Sequence, residues 1–480
     1  MRNMNPSRVR FCLMLWIALA VGRAALGDDD HRFPAVNGTL RSTHADASQP
    51  GFSGTGYVTG FTEPDSSVSW QVTVPAGYYE VRLRYRTHDQ KGFDLKINGV
   101  TYSGMFPPSG NRFALEAAAR VRLDGGPVNV SIGRGWGYFD IDYLELAPVG
   151  PPAPPAAVPD SLVDDEATSR ARALMHELVA LYGKQTLSGV YSVRDADSVQ
   201  QITGQRPMIL AGDLIDYSPT RREHGANPGN TVEDLISASR KGAVISLSWH
   251  WNAPADLIDG TFVDSNGKTV NAPWWRGFYK EATTFDVEKA LANPESDEGK
   301  HLLSDIDAIA VQLKKFSDAD VPVLWRPLHE SEGGWFWWGA KGPRPFVQLW
   351  QLLHDRLTNQ YHLHNLIWVF TGRPNQAWYP GDQYVDIVGM DSYPSDRRDP
   401  LWAQWDEDQK VYGGKKLVAL SEFVSVPDIA MMTDAGVRFS YFVTWSRSFD
   451  PKYLTKDDLT ATYRSPVVVN QGSALPFAGQ

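Results

Sequence analysis

The chain is nearly without cysteine. Its one thiol, Cys12, lies in an N-terminal apolar stretch. No disulfide can therefore staple the folded part, and thiol nucleophiles and Cys-rich metal sites are excluded. Basic charge is in deficit as well: the net charge of −10 argues against nucleic acid as a partner. No apolar run is long enough to span a bilayer. Phe11 to Val21 is apolar but short, follows Arg2, Arg8 and Arg10, and leads to small residues before Asp28. That is the pattern of a secretory signal over residues 1–27, so the mature protein is expected to be extracellular and free of the membrane. Asn37-Gly38-Thr39 and Asn129-Val130-Ser131 are candidate glycosylation sequons. No strand is followed by a glycine-rich phosphate loop, which disfavours a doubly wound nucleotide-binding sheet.

Aromatic residues are abundant, with 17 Trp, many beside Gly, Pro or Asn in expected loops, where they suit ligand contact. A segment at 148–159, PVGPPAPPAAVP, reads as a semi-rigid spacer that does not pack. It divides residues 28–147 from residues 160–480, and the two parts are expected to fold independently. The first part shows short alternating strands, such as Val68–Val74 and Tyr79–Arg86, with a turn at Asn98-Gly99. This spacing predicts a β-sandwich. In the second part, apolar strand patterns occur at 185–191, 208–213, 243–249, 321–326, 365–371, 385–391, 416–422 and 439–445. Helical patterns at 195–203, 232–240, 299–316, 346–358 and 401–409 lie between them. The alternation predicts an α/β chain folded as a (β/α)8 TIM barrel, whose site lies at the C-terminal ends of its strands.

Those ends are decorated. The fourth strand runs into Arg326-Pro327-Leu328-His329-Glu330 and then SEGGWFWWG, a glycine turn with three tryptophans of the kind that stack on sugar rings. The third ends at Trp249-His250-Trp251-Asn252, the sixth at Asp391-Ser392-Tyr393, the seventh at Glu422 and the eighth at Thr444-Trp445-Ser446. Two glutamates, each ending a buried strand, suggest the carboxylate pair of a glycosidase. Glu330 would be the general acid, held protonated by aromatic lining that includes Trp335. Glu422 would be the ionised nucleophile, with Tyr393 and Arg326 as its donors, and Trp445 would floor the reacting sugar. A buried salt bridge at either glutamate is the plainer reading. A mononuclear metal site on His250 and His329 is another.

At these residues the barrel resembles glycoside hydrolase family 26, which carries His-Glu at the end of strand four, here His329-Glu330, and a second glutamate, here in Ser421-Glu422-Phe423. The resemblance implies retaining, endo-acting cleavage of β-1,4-mannans by a monomer without cofactor or metal. It also implies that His250, Arg326, His329, Trp335, Tyr393 and Trp445 surround the cleaving subsite, and that Trp274 and Trp275 extend the cleft on the glycone side. A family relative acting on β-1,3-xylan or mixed-linkage β-glucan, or a non-catalytic mannan-binding protein, stays open. The N-terminal part resembles a family 35 carbohydrate-binding module through Gly51 to Val58 and Gly135 to Tyr143, which implies a sandwich of jelly-roll type with Tyr57 and Trp136 as sugar contacts. That module often opens with a Glu-x-Glu calcium pair. Phe33 to Asn37 lacks both carboxylates, although Asp142 remains.

Overall fold

In the computed structural model, residues 31–264, 266–445 and 454–472 are described. The signal segment with Cys12, and Ser446 after the eighth strand, lie outside them. Strand Gly77–Arg86 shows how the first part is built: Tyr79, Val81, Leu83 and Tyr85 point into one core while Glu80, Arg82, Arg84 and Arg86 take the other face. Two antiparallel sheets close on that core. One contains, in order, His44–Asp46, Tyr57–Thr59, Asp140–Val149, Gly77–Arg86 and Ala114–Leu123, with Arg32–Pro34 also paired to Asp140–Val149. The other runs Thr39–Arg41, Ser67–Val74, Gly126–Gly133, Lys91–Ile97, Val100–Phe106. This is the expected sandwich. Its last strand extends further than the expected boundary at 147, because Pro148 and Val149 still pair with Tyr79 and Tyr78.

The second part closes into a parallel barrel of eight strands: β1 (Gly189–Val190), β2 (Ile209–Asp213), β3 (Val244–Ser248), β4 (Val323–Arg326), β5 (Leu366–Thr371), β6 (Ile387–Ser392), β7 (Leu417–Phe423) and β8 (Phe442–Thr444). Each falls inside or within a residue of its expected span. Every residue of β3, β4, β5 and β7 is buried, as strands covered on both faces by side-chain layers and helices must be. The five expected helices are present, the longest at Asp297–Asp318. Helices Ser169–Leu181, Ile429–Ala435 and Lys456–Tyr463 were not anticipated. Among the described residues no helix is long and apolar enough to cross a membrane.

The linker does pack, contrary to the spacer reading. Val158 is 8% exposed and belongs to the barrel core. Pro152 lies against Gly436, where an added Cβ would come within 2.4 Å, and Pro155 lies against Gly183. The two parts also touch directly. Val100–Phe106 is the last strand of its sheet, and two of its free amides are taken by barrel carboxylates: Thr101 N–H donates to Asp396 (3.1 Å) and Ser103 N–H to the buried Asp399 (3.0 Å). Arg398 donates to Gly99 O at 2.9 Å. Proline and alanine give a stiff chain, and a stiff chain with a complementary surface nearby docks at little entropic cost.

Candidate active site

Both glutamates sit where the backbone departs from regularity. Beyond β4, Leu328 and Glu330 adopt left-handed conformations (φ 51° and 54°), which side chains with a Cβ rarely take. Such strain gathers at functional sites, where surrounding structure holds it in place. On β7 the register against β6 slips, so that Met390 faces Leu420 while Asp391 faces Glu422. The bulge leaves Ser421 as the extra residue and sets Glu422 beside Asp391. Ser421 Oγ donates to Asp391 Oδ1 at 2.8 Å.

The consequence is a cluster of three carboxylates: one oxygen from each of Glu330, Asp391 and Glu422 lies within 4.8 Å of the other two. A single guanidinium serves it. Arg326, 1% exposed, donates to Asp391 Oδ2 and Glu422 Oε2, each at 2.6 Å, and to the Tyr191 hydroxyl at 2.8 Å. Tyr191 in turn meets Ser248 Oγ at 2.8 Å.

Three buried acids sharing one guanidinium resist full ionisation. Burial, then the nearby Asp391, pushes Glu330 up to about 7. The expected aromatic cause is wrong in sign: Trp335 Nε1 donates to Glu330 Oε2 at 3.1 Å and opposes the rise. Burial also raises Glu422, with Asp391 and Glu330 adding to it and Arg326 opposing. The group titrates as a unit. Glu330 lacks the guanidinium contact that Glu422 has.

A second chain of contacts borders the first. His250 Nδ1 is bonded to Asp213, whose carboxyl is raised by burial but carried below its usual range by His250. His250 Nε2 lies 3.1 Å from His329 Nε2. Burial, helped by Arg326, holds His329 well below the ordinary histidine range, so its ring is neutral. Trp445 packs edge-on to Tyr191 at 4.3 Å and lies 5.9 Å from His250.

The structure thus gathers Glu330, Glu422, Arg326, His250, His329, Trp335 and Trp445. Tyr393 is 50% exposed nearby and makes no hydrogen bond to Glu422, so Arg326 alone of the two expected donors serves it. Trp275 is 51% exposed, whereas the Trp274 ring is occupied by His224 at 5.4 Å and the Arg221 guanidinium at 5.3 Å. Of the tryptophans in the turn after Glu330, only Trp335 is exposed. Trp337 and Trp338 are buried and donate to the carbonyls of Trp251 and His329, so they brace the turn rather than face a ligand. Tyr57 is likewise no platform: it is 1% exposed, with its hydroxyl on Asp46. Trp136 is 62% exposed. Asp142 is committed to Arg84 and to Ser53. Tyr191, Asp213 and Ser421 were not picked out from sequence, and Asp391 was noted only at the end of the sixth strand, without a role. The signal for a role was there, since Asp391 is the penultimate residue of β6 as Glu422 is of β7.

Comparison with known proteins follows the same division. The model of glycosyl hydrolase family 26 matches residues 163–473, and that of carbohydrate binding module family 35 matches residues 31–149. A mannan endo-1,4-beta-mannosidase of Thermothelomyces thermophilus is 38% identical over 441 residues, covering 91% of this chain and 89% of the relative. A mannan endo-1,4-beta-mannosidase B of Piromyces is 31% identical over 463 residues, covering 93% and 77%. The crystal structure of a Podospora anserina GH26-CBM35 β-(1,4)-mannanase superposes with a TM-score of 0.66 at 37% identity, covering 92% of this chain and 98% of that one.

Proposed function

Because the chain belongs to glycosyl hydrolase family 26 and carries a family 35 carbohydrate-binding module ahead of its barrel, we propose that Glu422 and Glu330 are its reacting carboxylates. The enzyme hydrolyses β-1,4-mannosidic bonds within mannan, galactomannan and glucomannan, by double displacement with retention. One observation carries the retaining mechanism: oxygens of Glu330 and Glu422 lie within 4.8 Å of each other. That is the short separation of a retaining pair, about 5–5.5 Å, and leaves no room for the intervening water of an inverting one.

In the first half-reaction a Glu422 oxygen attacks the anomeric carbon while Glu330 gives its proton to the departing glycosidic oxygen. Arg326 favours the anionic form of Glu422 against the burial that opposes it, and Asp391, holding the other arm of the guanidinium, fixes that arm's direction. The glycosyl ester on Glu422 is then opened by water, and Glu330, now ionised, takes the water's proton. His250, oriented by Asp213, and His329 border the reacting sugar, with Trp445 beneath it. Trp275 extends the cleft on the glycone side. The protein acts outside the cell as a monomer, its signal removed.

Reducing-sugar release from mannan, galactomannan, β-1,3-xylan and barley glucan tests the substrate, and NMR of the first-formed anomer tests the stereochemistry. Release from the mannans with β-anomer first is expected. Release from xylan or barley glucan alone would move the enzyme to another β-glycan, and α-anomer first would overturn the nucleophile.

A further inference from the structure

A cavity of about 800 Å3 opens on the Glu330 side of the site, within the size range of ligand clefts. Both parts of the chain wall it: Glu330, Trp335, Arg373 and Tyr393 from the barrel, Trp136 and Met105 from the sandwich. Glu422, His250 and Trp445 do not line it. Glu330 faces the departing oxygen in the reading above, on which this inference rests, so the cavity lies where the leaving portion of the polysaccharide must run.

The sandwich wall is fixed in place. The docked strand amides of Thr101 and Ser103 hold its edge on the barrel, and Arg373 lies 3.9 Å from Met105 Sδ. Trp136 is seated just as firmly. Its amide donates to Gly92 O at 2.9 Å, and its indole lies on Gly92, where a Cβ would come within 2.9 Å of the ring. Gly135 supplies the left-handed turn (φ 52°) and passes so close to Gly92 that a Cβ would meet its carbonyl oxygen at 2.3 Å. One face of the indole is thus backed by main chain and the other is free. Of the five exposed tryptophans and tyrosines among the described residues, three line this one cavity: Trp136, Trp335 and Tyr393. A rigid, pre-placed aromatic face binds a sugar ring with little ordering cost.

We propose that the sandwich supplies a distal subsite of the catalytic cleft, in which Trp136 stacks on a mannosyl unit of the leaving chain after that chain has passed Trp335 and Tyr393. The module is then part of the machinery that positions substrate, in addition to any anchoring on solid mannan.

The test uses the full-length chain with W136A and W136F. The readout is the ratio of kcat/KM for mannohexaose to kcat/KM for an aryl β-mannobioside, whose phenol is too short to reach the sandwich. The ratio should fall about tenfold in W136A and about threefold in W136F, corresponding to losing all or part of one stacking contact. W136F keeps a ring on Gly92 and decides the matter should W136A fold poorly. Cleavage of mannohexaose in 18O-labelled water should also shift away from bonds that leave the longer fragment on the leaving side. An unchanged ratio and an unchanged cleavage pattern, with loss of retention on insoluble mannan alone, would make Trp136 an independent anchor and overturn the subsite. A wild-type chain inactive on both soluble substrates would instead overturn the mannan-cleaving assignment.

Discussion

On the outer face of the sandwich, Arg84 meets Asp142, Arg86 meets Asp140 at 2.8 Å, and Arg32 and Arg82 share Glu145. In the barrel, a single guanidinium, that of Arg326, is shared by Asp391 and Glu422, with Glu330 close by. Both regions bury carboxylates: Asp142 is 0% exposed and Glu422 3%. What separates them is the balance of charge. Each of these buried acids of the sandwich face is met by at least one guanidinium, and Glu145 by two. The barrel mouth has one guanidinium for three acids. The excess leaves a proton in the site and stores the tendency to move it, which is what an acid–nucleophile pair requires. The proposed catalytic carboxylates thus differ from the buried salt bridges in their count of partners, even where burial is the same.

Removing acids from the two regions should have opposite consequences. Glu422→Ala should lower turnover of mannan by at least about 10^4-fold, a barrier increase of several kcal/mol. It also leaves Arg326 matched one-to-one with Asp391, so the melting temperature should hold or rise. Residual activity above a few per cent, or a marked loss of stability, would place Glu422 with the structural acids. Glu330→Ala should slow mannan cleavage by roughly 10^2–10^4-fold, since the leaving alcohol needs a proton. An aryl mannobioside with an acidic phenol should lose far less in the glycosylation step, and azide should restore turnover by capturing the ester. Equal slowing on both substrates without azide rescue would remove Glu330 from that role.

In the sandwich, Asp142→Ala leaves Arg84 without its carboxylate and should destabilise the chain by about 3 kcal/mol, the low end for breaking a buried pair. Turnover of the aryl mannobioside should stay at the wild-type value. Denaturant melts and initial rates measure the two effects, and a rate loss without a stability loss would dissolve the distinction between the regions.

The smallest effect concerns pH. Glu330 lies at about 7 against an ordinary 4.5. kcat/KM should therefore decline as pH rises through about 7, where the acid form is lost. The same group contributes stability that is complete below 4.5 and is lost as pH rises through about 7. Asp391→Asn removes a like charge and frees Arg326, both of which lower Glu330, so the alkaline limb should move to lower pH. A limb that stays, or moves up, would mean that Asp391 does not set the acid.

How much of this was legible in the sequence depends on what each feature rests on. The barrel strands announce themselves because burial on both faces demands continuous apolar runs, and Glu330 and Glu422 stand out as the polar residues that interrupt those runs. Asp213 and Tyr191 did not, because their meaning lies in partners on other strands: His250 is 37 residues from Asp213, and Arg326 is 135 from Tyr191. The tryptophans misled for a related reason. Composition shows that Trp337 and Trp338 sit in a glycine-rich turn but not which way the turn faces, and their indole N–H groups found buried carbonyls. The contact between the two parts was least visible of all. It runs through main-chain amides of Val100–Phe106, and an amide leaves no trace in residue identity.

That contact bears on how such a chain can be assembled and divided. A sheet edge with free amides is a template for pairing with any other edge, and natural proteins guard against this with charges, bulges or a covering element. Here the guard is borrowed: Asp396 and Asp399 belong to the barrel, and they cap a strand of the sandwich. Cut away at the linker, the sandwich would present that strand bare to its own copies and would tend to oligomerise or precipitate. Recombination that moved the sandwich onto a foreign catalytic unit would import the same liability. The two halves of this chain are thus tied to each other by solubility as well as by substrate, and a graft would have to carry an acidic loop equivalent to Asp396–Asp399 along with the module.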